Sequence, residues 1–256
     1  MPNPIAHPAA SIPFTKVGLV FSALVIGSIA PDFGYFIPLP AAFFMYTPAG
    51  VVLFDVPVGL VLLWFFHTFV KWPALSLLPE SLQRRLYKAA LGFSFGPLKR
   101  FGLILLSLLV GSLTHVIWDS FTHEYSWVVE HFAIFRIPIR GIPFYTILQN
   151  LSTILGIGFV LFWFIRWLPT AQQSDQLPAH FSLVVRRLFL ALTAVSIVLV
   201  EGTIIYLNFM AGSQFIHGHF LIGGMIFLAL LIISFFVGVY CLVWMIAFYK
   251  TIRRVN

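Results

Sequence analysis

The sequence predicts an all-α protein, a polytopic transmembrane helical bundle, and three observations carry that prediction. Charged residues make up 9% of the 256 residues, against about 25% in soluble domains. Hydrophobic residues make up 60%, and the mean hydropathy is +0.99. Long apolar stretches recur from Val17 to Tyr249, which is more apolar surface than a soluble core can bury, so the bilayer must solvate most of the chain. Residues 1–256 are therefore expected to form a single integral membrane domain.

Six stretches approach the length of about 20 apolar residues that a helix needs to cross the hydrocarbon core. They are residues 17–37, 50–70, 101–122, 147–168, 188–210 and 220–248. The first is the weakest, because Pro31 and Asp32 interrupt it only about fourteen residues after Val17, too few for a straight crossing. We expect six spans, with a broken or re-entrant N-terminal segment as the main departure from simple crossings.

Basic residues predict the orientation of the spans. The densest positive loop lies between the second and third spans and contains Lys71, Arg84, Arg85, Lys88, Lys99 and Arg100. By the positive-inside rule this loop is cytoplasmic. Both termini are then cytoplasmic, residues 123–146 form an outer loop, and the membrane is the cytoplasmic (inner) membrane. Because the basic residues that give the net charge of +7 cluster beside apolar segments, they favour membrane lipids as partners and no nucleic acid.

Ionisable residues inside predicted spans are the candidates for function. Asp32, Asp55, Asp119 and Glu201 lie within or at the ends of spans, where each costs several kcal/mol unless it is paired or solvated. The lone cysteine, Cys241, excludes an intrachain disulfide and a zinc site built on cysteines. A zinc site in this chain must therefore use ligands other than a set of cysteines.

The most specific pattern is His115, Asp119 and His123 at i, i+4 and i+8, which places all three on one face of a helix. Imidazole and carboxylate ligands suit a divalent metal such as zinc, manganese or iron. A metal held there supports hydrolysis, because it generates a nucleophile and polarises an acyl or phosphoryl oxygen. Asp32, and also Asp55, are candidates to complete the coordination from neighbouring helices.

Each of these residues also has a structural interpretation. His115 and Asp119 are also typical of a polar seam that joins helices by hydrogen bonds, and Asp32 after Pro31 is equally typical of a capping residue. Glu201 lies deeper in its span and is a candidate for a proton path. The spacing alone leaves these alternatives open.

Several strings resemble an uncharacterised bacterial membrane family, domain of unknown function 4184. They are Pro13–Thr15, Ser22–Phe33, Leu53–Gly59 and His115–His123, together with the opening His7–Ala10. In motif order the chain is also similar to membrane-bound metal-dependent hydrolases and, more distantly, to zinc-dependent phospholipase C. That similarity implies His7, Asp32, His115 and Asp119 as metal ligands.

One position departs from the pattern of these relatives. Where they tend to carry a His-Ser pair before the glycine that precedes Phe-Asp, this chain has Tyr46 and Thr47 before Gly50. Tyrosine is a poor zinc ligand, so the departure favours a depleted site, another metal or none. The position of His7 also conflicts with simple topology, since a cytoplasmic His7 reaches an outer Asp119 only through a re-entrant N-terminal segment.

The sequence thus predicts a metal-dependent hydrolase that acts on a lipid or another membrane-associated ester or phosphoester. The expected cofactor is a divalent metal, with zinc favoured, and Asp55 or His123 is the expected proton acceptor. Two alternatives remain. One is a transporter in which Asp32, Asp119 and Glu201 form a proton or ion relay, and the other is a non-catalytic protein whose polar residues fix helix packing.

Overall fold

The computed structural model describes residues 3–36, 42–210 and 218–252, and most of them are helical. The helices are α1 (Pro8–Ser11), α2 (Phe21–Gly27), α3 (Ala42–Met45), α4 (Pro48–Gly50), α5 (Val56–Phe65), α6 (Lys71–Leu77), α7 (Glu80–Leu91), α8 (Leu98–Asp119), α9 (Trp127–His131), α10 (Phe144–Trp167), α11 (Leu183–Met210) and α12 (Gly218–Ile252). The two short strands β1 (Pro138–Ile139) and β2 (Ile142–Pro143) pair antiparallel. The all-α prediction is confirmed.

Within the described residues, five helical segments are long and apolar enough to cross a membrane. They are Pro48–Leu77, Leu98–Asp119, Phe144–Thr170, Leu183–Leu207 and Leu231–Phe248. Each coincides with one of the last five predicted spans, although the predicted stretch 220–248 begins earlier than the segment found. The prediction of a polytopic helical membrane protein is therefore confirmed.

The first predicted span, residues 17–37, is broken. Its described part contains the two-turn helix α2, followed by a 3₁₀ helix at Ala30–Phe36, and residue 37 lies outside the described residues. Before α2 the chain turns at Gly18, whose φ of 89° suits glycine and ends the preceding 3₁₀ helix. Pro31 has no N–H, so it cannot extend the α-helical hydrogen bonds by donating to the Gly27 carbonyl. The N-terminal region therefore consists of short helical pieces, as the interrupted hydropathy predicts.

By its contacts the chain divides into two compact units, residues 1–65 with 92–171 and residues 66–91 with 172–256. In the first unit, α2 runs alongside α8 at close range. A Cβ on Gly27 would collide with the backbone of Leu108, and one on Gly111 would collide with the backbone of Leu24. Small residues allow such an approach between apolar helices.

The single membrane domain expected for residues 1–256 stays a prediction.

Two polar contacts fix the register of α2 along α8. The backbone N–H of Val20 donates to Ser107 Oγ at 2.8 Å, and Ser112 Oγ donates to the carbonyl of Gly27 at 3.0 Å. Both satisfy backbone groups at the ends of a short helix, which otherwise lack partners. This register carries Ser28 to the level of His115.

The span Pro48–Leu77 contains two widened turns of π-helix, at Val51–Asp55 and Phe66–Val70. Each precedes a proline, Pro57 or Pro73, which cannot donate to the carbonyl four residues earlier and clashes with it in a regular α-helix. A π turn accommodates that disruption and is frequent at functional sites. The first of these turns holds Asp55 in a fully buried position.

The second unit has its own aromatic core. Trp72 and Tyr87 pack with Tyr240 and Trp244. Arg186, largely buried, donates from Nη1 to the carbonyls of residues 76 and 78 at 3.0 and 3.2 Å. These carbonyls lie at the end of α6, where a cation is favoured by the negative end of the helix dipole.

Candidate metal centre

His115 is held in one tautomer by the N-terminal part of the chain. Its Nδ1 lies 2.8 Å from the carbonyl oxygen of Ser28. A carbonyl only accepts hydrogen bonds, so Nδ1 carries the proton and the Nε2 of a neutral ring presents a lone pair. Metal-binding histidines are commonly oriented in this way, by a hydrogen bond from the ring nitrogen that does not face the metal.

The free nitrogen of His115 faces two carboxylates. Its Nε2 lies 3.1 Å from Asp119 Oδ2 and 3.6 Å from Asp32 Oδ1. His115 is fully buried, and Asp32 and Asp119 are 4% and 2% exposed. None of His115 Nε2, Asp32 Oδ2 and the two Asp119 oxygens has a hydrogen-bond partner in the described part of the chain. Hydrogen-bond acceptors therefore face one another in a buried space, an arrangement that is costly unless a cation or protons lie between them.

His7 joins this group from the opposite side of Asp119. Its Nε2 lies 3.6 Å from Asp119 Oδ1, and its ring stacks on that of His115 with centroids 3.8 Å apart. The side chain is buried, and Trp118 contacts its ring edge-on. Burial, reinforced by the neighbouring His115 imidazole, lowers the pKa of His7 to about 3, so its ring is neutral and able to act as a ligand at neutral pH.

The position of His7 depends on a close approach between the N-terminal segment and α10. Gly156 lies against Ala6, and a Cβ added there would come 2.8 Å from the Ala6 Cβ and 2.9 Å from its carbonyl oxygen. The backbone N–H of Asn3 donates to Thr153 Oγ1 at 3.2 Å on the same helix. Only a glycine at 156 leaves room for this contact, which brings His7 to the end of α8.

The N-terminal segment approaches one end of α8 twice, at His7 and again at Ser28, and between these points it reaches the middle of the helix. His7 contacts Asp119, Val20 contacts Ser107 and Ser28 contacts His115. Ser107 precedes Asp119 by twelve helical residues, about 18 Å along the axis. This path is that of a hairpin, which favours the re-entrant alternative over a simple first crossing.

His123 and Tyr46 lie at the edge of the cluster. His123 Nδ1 donates to the carbonyl of Asp119 at 3.2 Å and lies 3.6 Å from its Oδ2. The His123 side chain is 23% exposed, against 3% for that of Asp119, and burial lowers its pKa. The Tyr46 hydroxyl donates to Asp32 Oδ1 at 3.4 Å, and the Tyr46 ring lies between the rings of His115 and His123, with centroids 6.0 and 6.3 Å away.

Asp55 interacts electrostatically with His115. It is fully buried, and neither carboxylate oxygen has a hydrogen-bond partner within the described ranges. Glu201, the remaining acid expected inside a span, lies on α11 in the second unit. The structure thus places Asp55, His123 and the four ligands implied by resemblance in the first unit and Glu201 in the second.

The spacing of the donor atoms matches the requirements of a metal ion. One ligand atom from each of His7, Asp32 and His115 lies within 4.8 Å of the others. The nearest contacts around Asp119 and His115, from 3.1 to 3.6 Å, bracket the separation of about 3.4 Å between ligands on a tetrahedral zinc ion. No lysine or arginine within the described ranges forms an ion pair with these carboxylates. His7, Asp32 and His115 therefore form a set whose chemistry and spacing fit a divalent cation, and Asp119 lies beside both histidines as a candidate fourth ligand.

Three contributors to this site were not predicted as such. The Ser28 carbonyl and Gly156 act through the backbone, which no side-chain motif reveals. Tyr46 stood out in the sequence only as a departure from the pattern of the relatives, and the structure shows it bonded to a candidate ligand, Asp32.

Comparison with known proteins gives a family and no activity. Neither curated proteins nor solved structures gave a match. The family model described as "Domain of unknown function (DUF4184)" matches residues 1–243. That description assigns no chemistry, so the comparisons lend no support to the resemblance to hydrolases. Because the match covers nearly the whole chain, this membrane protein belongs to the DUF4184 family.

Proposed function

We propose that this protein is a metal-dependent hydrolase of the membrane, in which His7, Asp32, His115 and Asp119 hold a divalent cation. The proposal depends on one observation. Buried acceptor atoms without hydrogen-bond partners in the described residues converge from His7, from Asp32 and from the end of α8. Nitrogen and oxygen donors in this ratio favour zinc among the divalent metals. The expected substrate is a lipid or another membrane-associated ester or phosphoester.

Residues around the proposed metal site orient its ligands. A bound divalent cation would supply a Lewis acid and a nucleophile at neutral pH. The Ser28 carbonyl orients His115, and the Tyr46 hydroxyl orients Asp32. Such supporting hydrogen bonds hold ligands in position and tune their basicity.

His123 is the better of the two candidates for proton transfer. Its Nδ1 is tied to the Asp119 carbonyl, which leaves Nε2 with a lone pair and without a partner among the described residues. The side chain as a whole is 23% exposed, although Nε2 itself is buried, so His123 lies between the cluster and the solvent. Asp55 is fully buried, which suits a role in balancing charge behind His115 better than direct contact with substrate.

Metal analysis of the purified protein tests the proposal. In detergent, the wild type should hold about one divalent ion per chain, and both His115→Ala and Asp119→Asn should lose it. His180→Ala is the matched control, because this histidine is exposed and its Nδ1 bonds to the nearby Pro178 carbonyl. Equal metal content in all four proteins would refute the metal centre.

A second measurement separates the hydrolase from the transporter. The metal-loaded protein should release hydrolysis products from membrane lipids, and Asp119→Asn should abolish that release. Mass spectrometry detects the products. Ion flux into vesicles that depends on Glu201, with no metal bound and no product released, would favour the transporter instead.

A further inference from the structure

The segment that joins α8 to α10 carries an unusual number of exposed apolar side chains for a loop. We call residues 120–143 the connecting segment. Its exposed apolar residues, each 48% to 74% accessible, include Tyr125, Trp127, Phe132, Ile134, Ile139 and Ile142. None of them lies in a candidate membrane span. Clustered exposed apolar surface of this kind marks an interaction site for a protein or a membrane.

The tip of the connecting segment shows this exposed apolar surface most clearly. Arg140 and Gly141 form its two-residue turn, with φ of 53° and 83°, between the paired strands β1 and β2. Positive φ at both turn residues is the geometry of a tight hairpin. Ile139 and Ile142 flank the turn and are about half exposed, so the hairpin presents two isoleucines beside an arginine.

An aromatic chain fixes this segment to the helices on either side. The ring of Phe121, just after α8, meets Phe135 edge-on at 5.9 Å, and Phe135 stacks on Phe144, at the start of α10, at 6.1 Å. The backbone N–H of Phe144 donates to the Ile137 carbonyl at 3.1 Å. These contacts hold the connecting segment, with its exposed side chains, against the end of α8 and the start of α10.

The length of α8 indicates where this structure lies relative to the bilayer. The helix has 22 residues, or about 33 Å at 1.5 Å per residue, which is close to the thickness of the hydrocarbon core. With Lys99 and Arg100 at one interface, Asp119 comes close to the other. The connecting segment thus begins at the level of the headgroups, where tryptophan and tyrosine are favoured and arginine reaches the phosphates.

We propose that the connecting segment docks into the lipid leaflet on the side of the metal cluster. Its isoleucine and aromatic side chains enter the boundary between headgroups and acyl chains, while Arg140 reaches the phosphates. Arg136 donates from Nη2 to the Glu130 carbonyl at 3.0 Å and stabilises the segment itself. A lipid leaflet is the occupant because the segment leaves and re-enters the membrane through apolar helices on both sides. The surface begins beside His123, so it brings headgroups to the cluster. Resting on the proposed function, this arrangement makes a phospholipid of that leaflet the substrate.

Site-directed labelling tests the docking surface independently of any activity. The full chain with Cys241→Ser receives one cysteine, Ile139→Cys or Ile134→Cys, labelled with the environment-sensitive dye NBD. The protein is reconstituted in vesicles of phosphatidylethanolamine and phosphatidylglycerol. Gln173→Cys, in an exposed polar loop, is the control position. We expect blue-shifted emission at 139 and 134 that is quenched by nitroxide-labelled phospholipid, with aqueous emission at 173. Aqueous emission at all three positions, quenched by iodide and not by the lipid, would overturn the docking surface.

A charge substitution tests the substrate class. With Ile139→Glu and Ile142→Glu combined, metal content should be unchanged, and turnover of vesicle phospholipid should fall several-fold. Turnover of a soluble probe, bis(p-nitrophenyl) phosphate, should be retained. Equal loss of both activities would overturn the lipid assignment. A wild-type protein that inserts its label into lipid and yet hydrolyses neither probe would refute the proposed function and leave the docking surface supported.

Discussion

Replacing Gly156 with alanine tests whether the N-terminal segment builds the metal centre. The added Cβ would lie 2.8 Å from the Ala6 Cβ, whereas carbon atoms in contact prefer about 3.5 Å or more. The segment must therefore move by roughly 0.7 Å, which exceeds the tolerance of about 0.5 Å for a functional constellation. Because His7 directly follows Ala6, its imidazole shifts away from Asp119. We expect metal affinity to fall by about 10-fold or more, the effect typical of disturbing the groups that orient ligands.

Gly158 on the same helix provides the matched control, because a Cβ there meets no atom within 4 Å. Gly158→Ala should keep the affinity and raise the free energy of unfolding by up to about 1 kcal/mol through helix propensity. In Gly156→Ala the same gain is offset by overpacking of about 1–3 kcal/mol. Affinity is measured by competition with a zinc-binding dye in detergent, and stability by thermal unfolding. Unchanged metal binding in both alanine variants would contradict the conclusion that the contact between Ala6 and Gly156 positions His7.

Three further variants separate the roles of single groups. His123→Ala should retain the metal while hydrolysis slows by about 100- to 10,000-fold, the usual contribution of a general acid or base; loss of metal in this variant would make His123 a ligand. Tyr46→Phe removes the hydrogen bond to Asp32 and should weaken metal binding by about 10-fold, while an unchanged affinity would show that Asp32 needs no such support. Ser112→Ala breaks the buried bond to the Gly27 carbonyl and should lower the free energy of unfolding by about 1–3 kcal/mol, because an acceptor is left unpaired; unchanged thermal unfolding would contradict this.

The membrane character of the fold could be predicted because it depends on local composition. Five spans follow from runs of apolar residues, and the break in the first stretch follows from Pro31 and Asp32. The π turns could not be predicted in the same way. A proline such as Pro57 is expected to disturb its helix, but whether the helix kinks, ends or widens depends on the neighbouring elements that satisfy the freed carbonyls.

The candidate site could be predicted only in part. The i, i+4, i+8 spacing predicts that His115, Asp119 and His123 share a face of α8, because helix geometry alone sets it. His7 came from resemblance and conflicted with the predicted topology. Its approach to Asp119 depends on contacts far apart in sequence, above all that of Ala6 with Gly156. Such contacts form only when separate helices pack, so no local pattern encodes them.

The hairpin path of the N-terminal segment leads to a last prediction, on topology. His7 contacts the end of α8, and Asn3 bonds to Thr153 on α10. In contrast to the cytoplasmic N-terminus that the basic residues predict, we therefore expect residue 3 to lie on the same side of the membrane as the connecting segment. In a Cys241→Ser background, Asn3→Cys and Glu124→Cys should both react with a membrane-impermeant maleimide added to intact cells. Ala89→Cys, in the basic loop predicted to be cytoplasmic, should react only after the membrane is opened. A permeant maleimide confirms that all three cysteines are reactive. If residue 3 instead reacts together with residue 89, the N-terminal segment crosses the membrane and His7 cannot share a metal ion with Asp119. The protection of residue 3 in intact cells is therefore the result that would remove His7 from the centre, whatever the metal content of the protein.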